Sequence, residues 1–174
     1  MAISLPKDAQ KILSSQNIEQ KINRMAYQIL ELHHQTSEIV LLGIDEGGFK
    51  LAGLLAMKIQ TIQDISIELA AIHVNKTAPY SESPYIKDAT DNLHNRHIIL
   101  IDDVGNSGST LFHALQTIYP LHPASLHVAV LIDRTHKKFP IKADIVGTDL
   151  ATTLTEHIHV IFDDNGAPEG AYIY

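Results

Sequence analysis

Residues 98–110 read Ile98-Ile-Leu-Ile-Asp-Asp-Val-Gly-Asn-Ser-Gly-Ser-Thr110: an apolar run, two adjacent carboxylates, then a loop of glycine, amide and hydroxyl residues. Gly105 and Gly108 let the backbone turn tightly and approach a ligand closely. Ser107, Ser109 and Thr110 supply hydroxyls. The loop opens a helix, whose free N–H groups and dipole favour an anion. These parts make a phosphate cradle. It is not of the Walker type, because no Gly-Lys-Ser/Thr follows. Asp102 and Asp103 point to opposite faces of the strand. A carboxylate beside such a cradle repels phosphate. It makes sense where it binds vicinal ribose hydroxyls or holds Mg²⁺ that the phosphates share. Pair and loop together point to a phosphorylated sugar. The bland alternative, a Gly/Ser turn with an Asp-rich helix cap, accounts for the loop but not for both carboxylates before it.

Ligands of open α/β sheets bind beyond the carboxyl ends of the strands. Other apolar runs are also followed by polar segments. Asp45-Glu-Gly-Gly48 follows the first run, a long polar stretch over 75–95 the second, and Asp133-Arg-Thr-His136 the fourth. Four polar loops are therefore expected to converge on one edge.

The elements that must position them alternate in period. Ile18 to Leu32 is apolar at helical spacing, with Ser15 or Asn17 as a cap. Glu38 to Ile44 is a continuous apolar run, suited to a strand buried on both faces. Phe49 to Ile59 returns to helical spacing. Ile65 to His73 and His97 to Ile101 read as strands, Gly108 to Tyr119 as a helix ended by Pro120 and Pro123, and Ser125 to Asp133 as a fourth strand. Ala143 to Val146 and His157 to Phe162 are expected as shorter strands. The stretch 75–95, with Pro79 and Pro84, reads as a long loop, functional or mobile, holding at most short strand pieces. Strands alternating with helices imply a parallel sheet. No repeat or linker divides the 174 residues.

Composition narrows the chemistry. There is no cysteine, which excludes disulfides, thiolate metal sites and a cysteine nucleophile. The first residues lack an apolar signal region, and no run reaches the length of a membrane helix, so the expected compartment is the cytoplasm, with no membrane partner. A formal net charge of −7 works against nonspecific binding to nucleic acid. The densest basic segment, Arg134-Thr-His-Lys-Lys138 with Lys142, reads as a solvated turn or as an RNA contact, the turn being favoured. Among the 11 histidines, His33-His34 falls at a helix end and His157 and His159 share a strand face. Without a third ligand at motif spacing they read as structural or surface residues. No Gly-x-Ser-x-Gly elbow supports a serine hydrolase.

Ile98 to Leu111 resembles the phosphoribosyl-diphosphate-binding motif of type I phosphoribosyltransferases, with Ser107-Gly108 standing for Thr-Gly and Thr110 in the last place. Ala129 to Gly147 is similar to the branch of pyrimidine operon attenuation regulators with uracil phosphoribosyltransferase activity, and the likeness covers about Asn17 to Phe162. The resemblance implies an α/β fold: a doubly wound, mainly parallel sheet flanked by helices, with a small hood and a long flexible loop, residues 1–174 forming a single domain. It implies a pentosyltransferase of pyrimidine salvage, moving 5-phosphoribosyl from phosphoribosyl diphosphate to a pyrimidine, expected to be uracil, giving UMP and pyrophosphate with Mg²⁺. It also implies a homodimer. The alternative on the same fold is a nucleotide-sensing regulator of weak or absent activity.

The resemblance assigns residues as well. Asp102 and Asp103 would be catalytic, binding the ribose hydroxyls directly or through Mg²⁺. Asn106, Ser107, Gly108, Ser109 and Thr110 would hold the 5-phosphate. Asp133, Arg134 and His136 would lie near the base. Asp45, Glu46, Gly47, Gly48 and Lys76 would form the pyrophosphate side, where this sequence departs from the branch. Asp45-Glu46 stands where the branch is basic, and His73-Val-Asn-Lys76 where it has an Arg. Gly105-Asn106 replaces bulkier residues, and Ser109 replaces an Arg. Some relatives have an acidic residue at the place of Asn106 that helps deprotonate the base, which an amide cannot do.

Overall fold

Apolar runs and helical stretches alternate along the chain, and each folds into its own element. The computed structural model describes residues 5–6, 8–75, 81–87, 89, 92–153 and 156–174. In chain order the elements are β1 (Gln10–Ser14), α1 (Ser15–Leu32), β2 (Glu38–Ile44), α2 (Asp45–Ile62), β3 (Ser66–His73), β4 (Tyr85–Lys87), β5 (His97–Gly105), α3 (Ser109–Ile118), a 3₁₀ turn (Tyr119–Leu121), β6 (Ser125–Arg134), β7 (Ile145–Leu150), β8 (Ile158–Phe162) and β9 (Pro168–Ile173).

Six strands form the main sheet in the order β4-β3-β2-β5-β6-β7. All neighbours are parallel except β4, which runs antiparallel to β3. Alternation along the strands sends side chains to two cores. Ile39, Leu41, Ile99 and Ile101 pack with α1 and α2 residues such as Met25, Ile29, Leu51 and Leu55. Val40, Leu42, Ile98 and Leu100 pack on the other face with Leu111, Ala114 and Ile118 of α3. The sheet is thus doubly wound, as expected.

A second sheet, β1-β9-β8, is antiparallel and is the expected hood. Its Ile158, Val160 and Ala171 share the core that holds α1 and α2.

Several boundaries differ from the sequence-based expectation. The cap of α1 is Ser14, one residue earlier than expected. Its side chain accepts from Asn17 N–H at 3.2 Å, and Asn17 Oδ1 accepts from the Ser14 amide at 3.2 Å. Asn17 is the reciprocal half of a capping box rather than the cap. β7 runs later than expected, over Ile145–Leu150, because it follows β6 in register as far as Arg134↔Leu150. β1 and β9 were not expected as strands. Within the 75–95 stretch β4 forms, while 76–80, 88, 90 and 91 lie outside the described residues.

At the amino edge of the main sheet, away from the polar loops, His33 meets His97 and His127 edge-on, with ring centroids 5.6 and 5.2 Å apart. His33 is only 4% exposed, and its Nε2 has no hydrogen-bond partner. The three rings line a cavity of about 360 Å³. Burial first, then the two neighbouring imidazoles, lower the pKa of His33 from 6.5 to about 4.

Candidate active site

The described residues that follow β2, β3, β5 and β6 lie at the carboxyl edge, as topology requires. The expected loop at Asp45-Glu-Gly-Gly48 does not exist: these residues are the first turn of α2, which follows β2 directly. Asp45 makes the whole turn with φ 49°, a conformation that Asp tolerates better than most residues. The glycines serve close approach rather than turning. A Cβ on Gly48 would overlap the Ile101 carbonyl, and one on Gly47 would stand 2.7 Å from Asp103 Oδ2.

This terminus has no side-chain cap, so its leading amides remain available to an anion. Its two carboxylates are engaged. Asp45 Oδ1 accepts from the Val74 amide at 3.2 Å and stands 3.0 Å from His73 Nδ1. Glu46, 84% exposed, pairs with Lys50 at 2.8 Å. That hydrogen bond, and then the lysine's charge, holds the Glu46 carboxyl below its ordinary range. Asp45, Glu46, Phe49, His73, Tyr85 and Lys87 line a cavity of about 340 Å³. Lys76 lies outside the described residues.

β5 is longer than expected and carries both carboxylates inside the strand. Pairing with β6 continues to Gly105↔Asp133. Asp102 is buried, and its Oδ1 accepts from the Asp103 amide at 3.1 Å. Asp103 faces the first turn of α2 at Gly47.

The cradle then forms as expected. Gly108 is the N-cap of α3 at φ 82°, where a side chain would be strained, and a Cβ would also lie 3.2 Å from the Phe139 carbonyl. Its N-cap residue, a glycine, makes no side-chain cap bond. Ser107 Oγ accepts from the Ser109 amide at 3.3 Å, while the Ser107 carbonyl accepts from the amides of Lys138 and Phe139 at 2.9 and 3.1 Å. Thr110 lies in the first turn of α3.

The residues after β5 and β6 are tied together. Asp133 and Arg134 are the last residues of β6, and both are buried. Lys137 Nζ donates to Asp133 Oδ1 and to the Gly105 carbonyl at 2.7 Å. Arg134 donates from Nε to Thr152 Oγ1 at 2.6 Å, from Nη2 to the Thr153 carbonyl at 2.6 Å, and from Nη1 to Asn106 Oδ1. His136 is exposed beside Thr135.

Sequence reasoning missed Lys137 as a site residue. Its signal was present in the basic run Arg134–Lys142, but the run was read as one patch, whereas Arg134 and Lys137 turn inward and Lys138 and Lys142 stay exposed. Among the described residues no group of three histidine or acidic side chains is placed to hold a metal unaided.

Comparison with known proteins agrees with this geometry. Residues 8–165 match the family described as phosphoribosyl transferase domain. The chain is 31% identical over 172 residues to the bifunctional protein PyrR of Macrococcus caseolyticus, covering 95% of this chain and 99% of that protein. It is 33% identical over 162 residues to the protein of the same name from Nostoc punctiforme, covering 86% and 88%. Hypoxanthine phosphoribosyltransferase of Trypanosoma cruzi superposes with a TM-score of 0.74 at 17% identity, covering 94% and 95%. A hypoxanthine-guanine phosphoribosyltransferase of Bacillus anthracis gives 0.69 at 22%, covering 87% of each chain. These two structures share the fold.

Proposed function

The chain belongs to the phosphoribosyl transferase domain family, and from that premise we propose that it moves a 5-phosphoribosyl group from phosphoribosyl diphosphate to uracil, giving UMP and pyrophosphate. One observation carries the reading. Two helix N-termini without a bond from the N-cap side chain, those of α2 and α3, flank the Asp102-Asp103 pair at a single sheet edge. That arrangement suits a ligand with an anion at each end and a hydroxylated sugar between them. The choice of uracil follows the bifunctional PyrR relatives.

Of the expected set, the amides of 107–110 would take the 5-phosphate, while that of Asn106 donates to the Val104 carbonyl at 3.0 Å and leaves the set; Asp102 and Asp103 would take the ribose hydroxyls. The α2 amides at Gly47 and Gly48 would receive the pyrophosphate. Asp45 and Glu46 repel it least where they are now, turned to His73 and Lys50. Asp133, Arg134 and His136 would border the base. The carboxylate oxygens of the pair suit Mg²⁺, with ligand oxygens completing its shell, and the ion would neutralise the departing pyrophosphate. The bond to pyrophosphate loosens through a cationic sugar. The chain's contribution is therefore orientation, two fixed anion sites and carboxylates beside the developing positive charge.

We read residues 1–174 as one domain acting in the cytoplasm as a homodimer. Among the described residues no helix is long and apolar enough to cross a membrane. RNA is a possible partner through the Arg134–Lys142 segment, but not the favoured one at a net charge of −7.

Incubation with uracil, phosphoribosyl diphosphate and Mg²⁺ should yield UMP. Tight UMP binding without product would instead identify a nucleotide sensor, a reading that Asp45 and Glu46 at the pyrophosphate terminus favour. Binding of neither ligand would overturn both. Replacing Asp102 and Asp103 together by Asn should abolish binding of the sugar phosphate while leaving the circular dichroism spectrum intact.

A further inference from the structure

The three hydrogen bonds of Arg134 fix more than the loop they hold. A guanidinium has donors and no acceptor. The Asn106 amide facing it therefore has one permitted orientation, with Oδ1 toward Arg134 and Nδ2 away. Turning the amide over would set donor against donor beside a side chain that is 7% exposed. Arg134 cannot move to accommodate the change. It is anchored on its other side by Thr152 and Thr153, and Thr153 is tied in turn to Glu156 through its amide at 2.5 Å and its hydroxyl at 2.9 Å. These bonds, the amide's first, lower the Glu156 pKa and so favour the charged form that accepts them. The neighbouring Gly105 carbonyl is held by Lys137.

Asn106 itself is exposed, and among the described residues nothing accepts from its Nδ2. It directly precedes the cradle at 107–110 and stands between that cradle and the end of β6. A nucleotide seated there by its 5-phosphate has its base one sugar away, within reach of this edge.

We propose that Arg134 is a positioning residue that locks Asn106 as a hydrogen-bond donor toward the base, so that the site selects a base presenting a carbonyl oxygen on this edge. This rests on the phosphoribosyl-transfer reading above. The locked amide offers nothing there that could take up a proton from the attacking ring nitrogen.

The test compares affinities for UMP and ribose 5-phosphate by calorimetry. Their ratio isolates the base contact, because any change in charge acts on both phosphates alike. Asn106→Asp keeps an acceptor for Arg134 and replaces the donors by a second carboxylate oxygen. The preference for UMP should fall about ten-fold or more. Arg134→Gln supplies both donor and acceptor, which frees the amide to turn. The same preference should fall about three-fold, with ribose 5-phosphate affinity held within about two-fold. An unchanged ratio in Asn106→Asp overturns the donor assignment and leaves the phosphoribose site standing. A fall there without one in Arg134→Gln overturns the positioning role. A parent protein that binds neither ligand overturns the reading on which both rest.

Discussion

Replacing His33 by Leu should flatten the loss of stability between pH 7 and pH 5. In the folded chain, burial and the rings of His97 and His127 lower the His33 pKa to about 4, against 6.5 for the unperturbed group. The unfolded chain therefore binds a proton as pH falls below 6.5, while the folded one resists until about 4. The stability contributed by the neutral ring is fully present above pH 6.5 and is lost as pH falls toward 4. Across the interval from pH 7 to pH 5, the full shift corresponds to about 2 kcal/mol. The rings line an open cavity through which water screens them, so about half of this, ~1 kcal/mol, is the expected effect. Leu fills similar space and removes both the titration and the unpartnered Nε2. Urea unfolding at the two pH values measures the difference for parent and variant, and contributions from unrelated carboxylates cancel in the comparison. Equal losses in the two proteins would refute the reasoning.

Other perturbations address the site. Gly108→Ala forces a side chain into the left-handed region against Phe139, so stability should fall by about 1–2 kcal/mol and ribose 5-phosphate affinity should drop, both readable by thermal shift. Asp45→Asn keeps an acceptor for the Val74 amide and removes a charge from the α2 terminus. Pyrophosphate should bind about two- to five-fold more tightly by calorimetry, with the gain shrinking at high salt. Lys137→Met strands the buried Asp133 carboxylate and should cost about 2–4 kcal/mol in urea unfolding, and Asp133→Asn in the same chain should restore part of it.

Much of this molecule was legible in its sequence. Continuous apolar runs at Glu38–Ile44 and Ser125–Asp133 suited strands covered on both faces, and the helical period of Ile18–Leu32 marked the face it buries. The cradle was legible because Asp102 and Asp103 precede it, which a plain Gly/Ser helix cap does not explain. What could not be read was set by partners distant in sequence. The glycines at 47 and 48 looked like loop breakers. Their purpose is to bring α2 against Ile101 and Asp103, and the turn was left to Asp45, a residue that propensity would not choose. Arg134 was expected near the base and within a solvated basic turn. Its donors go to Asn106, Thr152 and Thr153, contacts that no local pattern encodes. β1 escaped notice because its partner β9 lies at the opposite end of the sequence, with no turn signal between them, whereas β9 had one in Asn165-Gly166, which joins it to β8, and that signal was missed.

The pairing of β1 with β9 orders events in time. Every strand of the main sheet lies between residues 38 and 150, so its parallel pairs can assemble while later residues are still being synthesised. The three-stranded sheet cannot, because its central strand is Pro168–Ile173 and is the last to emerge. Until β9 arrives, β1 and β8 have no neighbour, and the face of α1 that meets β9 stays open to water. Joining β1 to β9 closes the longest loop in the fold, a step of high contact order that belongs late in folding. A released chain truncated before residue 168 should therefore carry a formed nucleotide edge and an unformed hood.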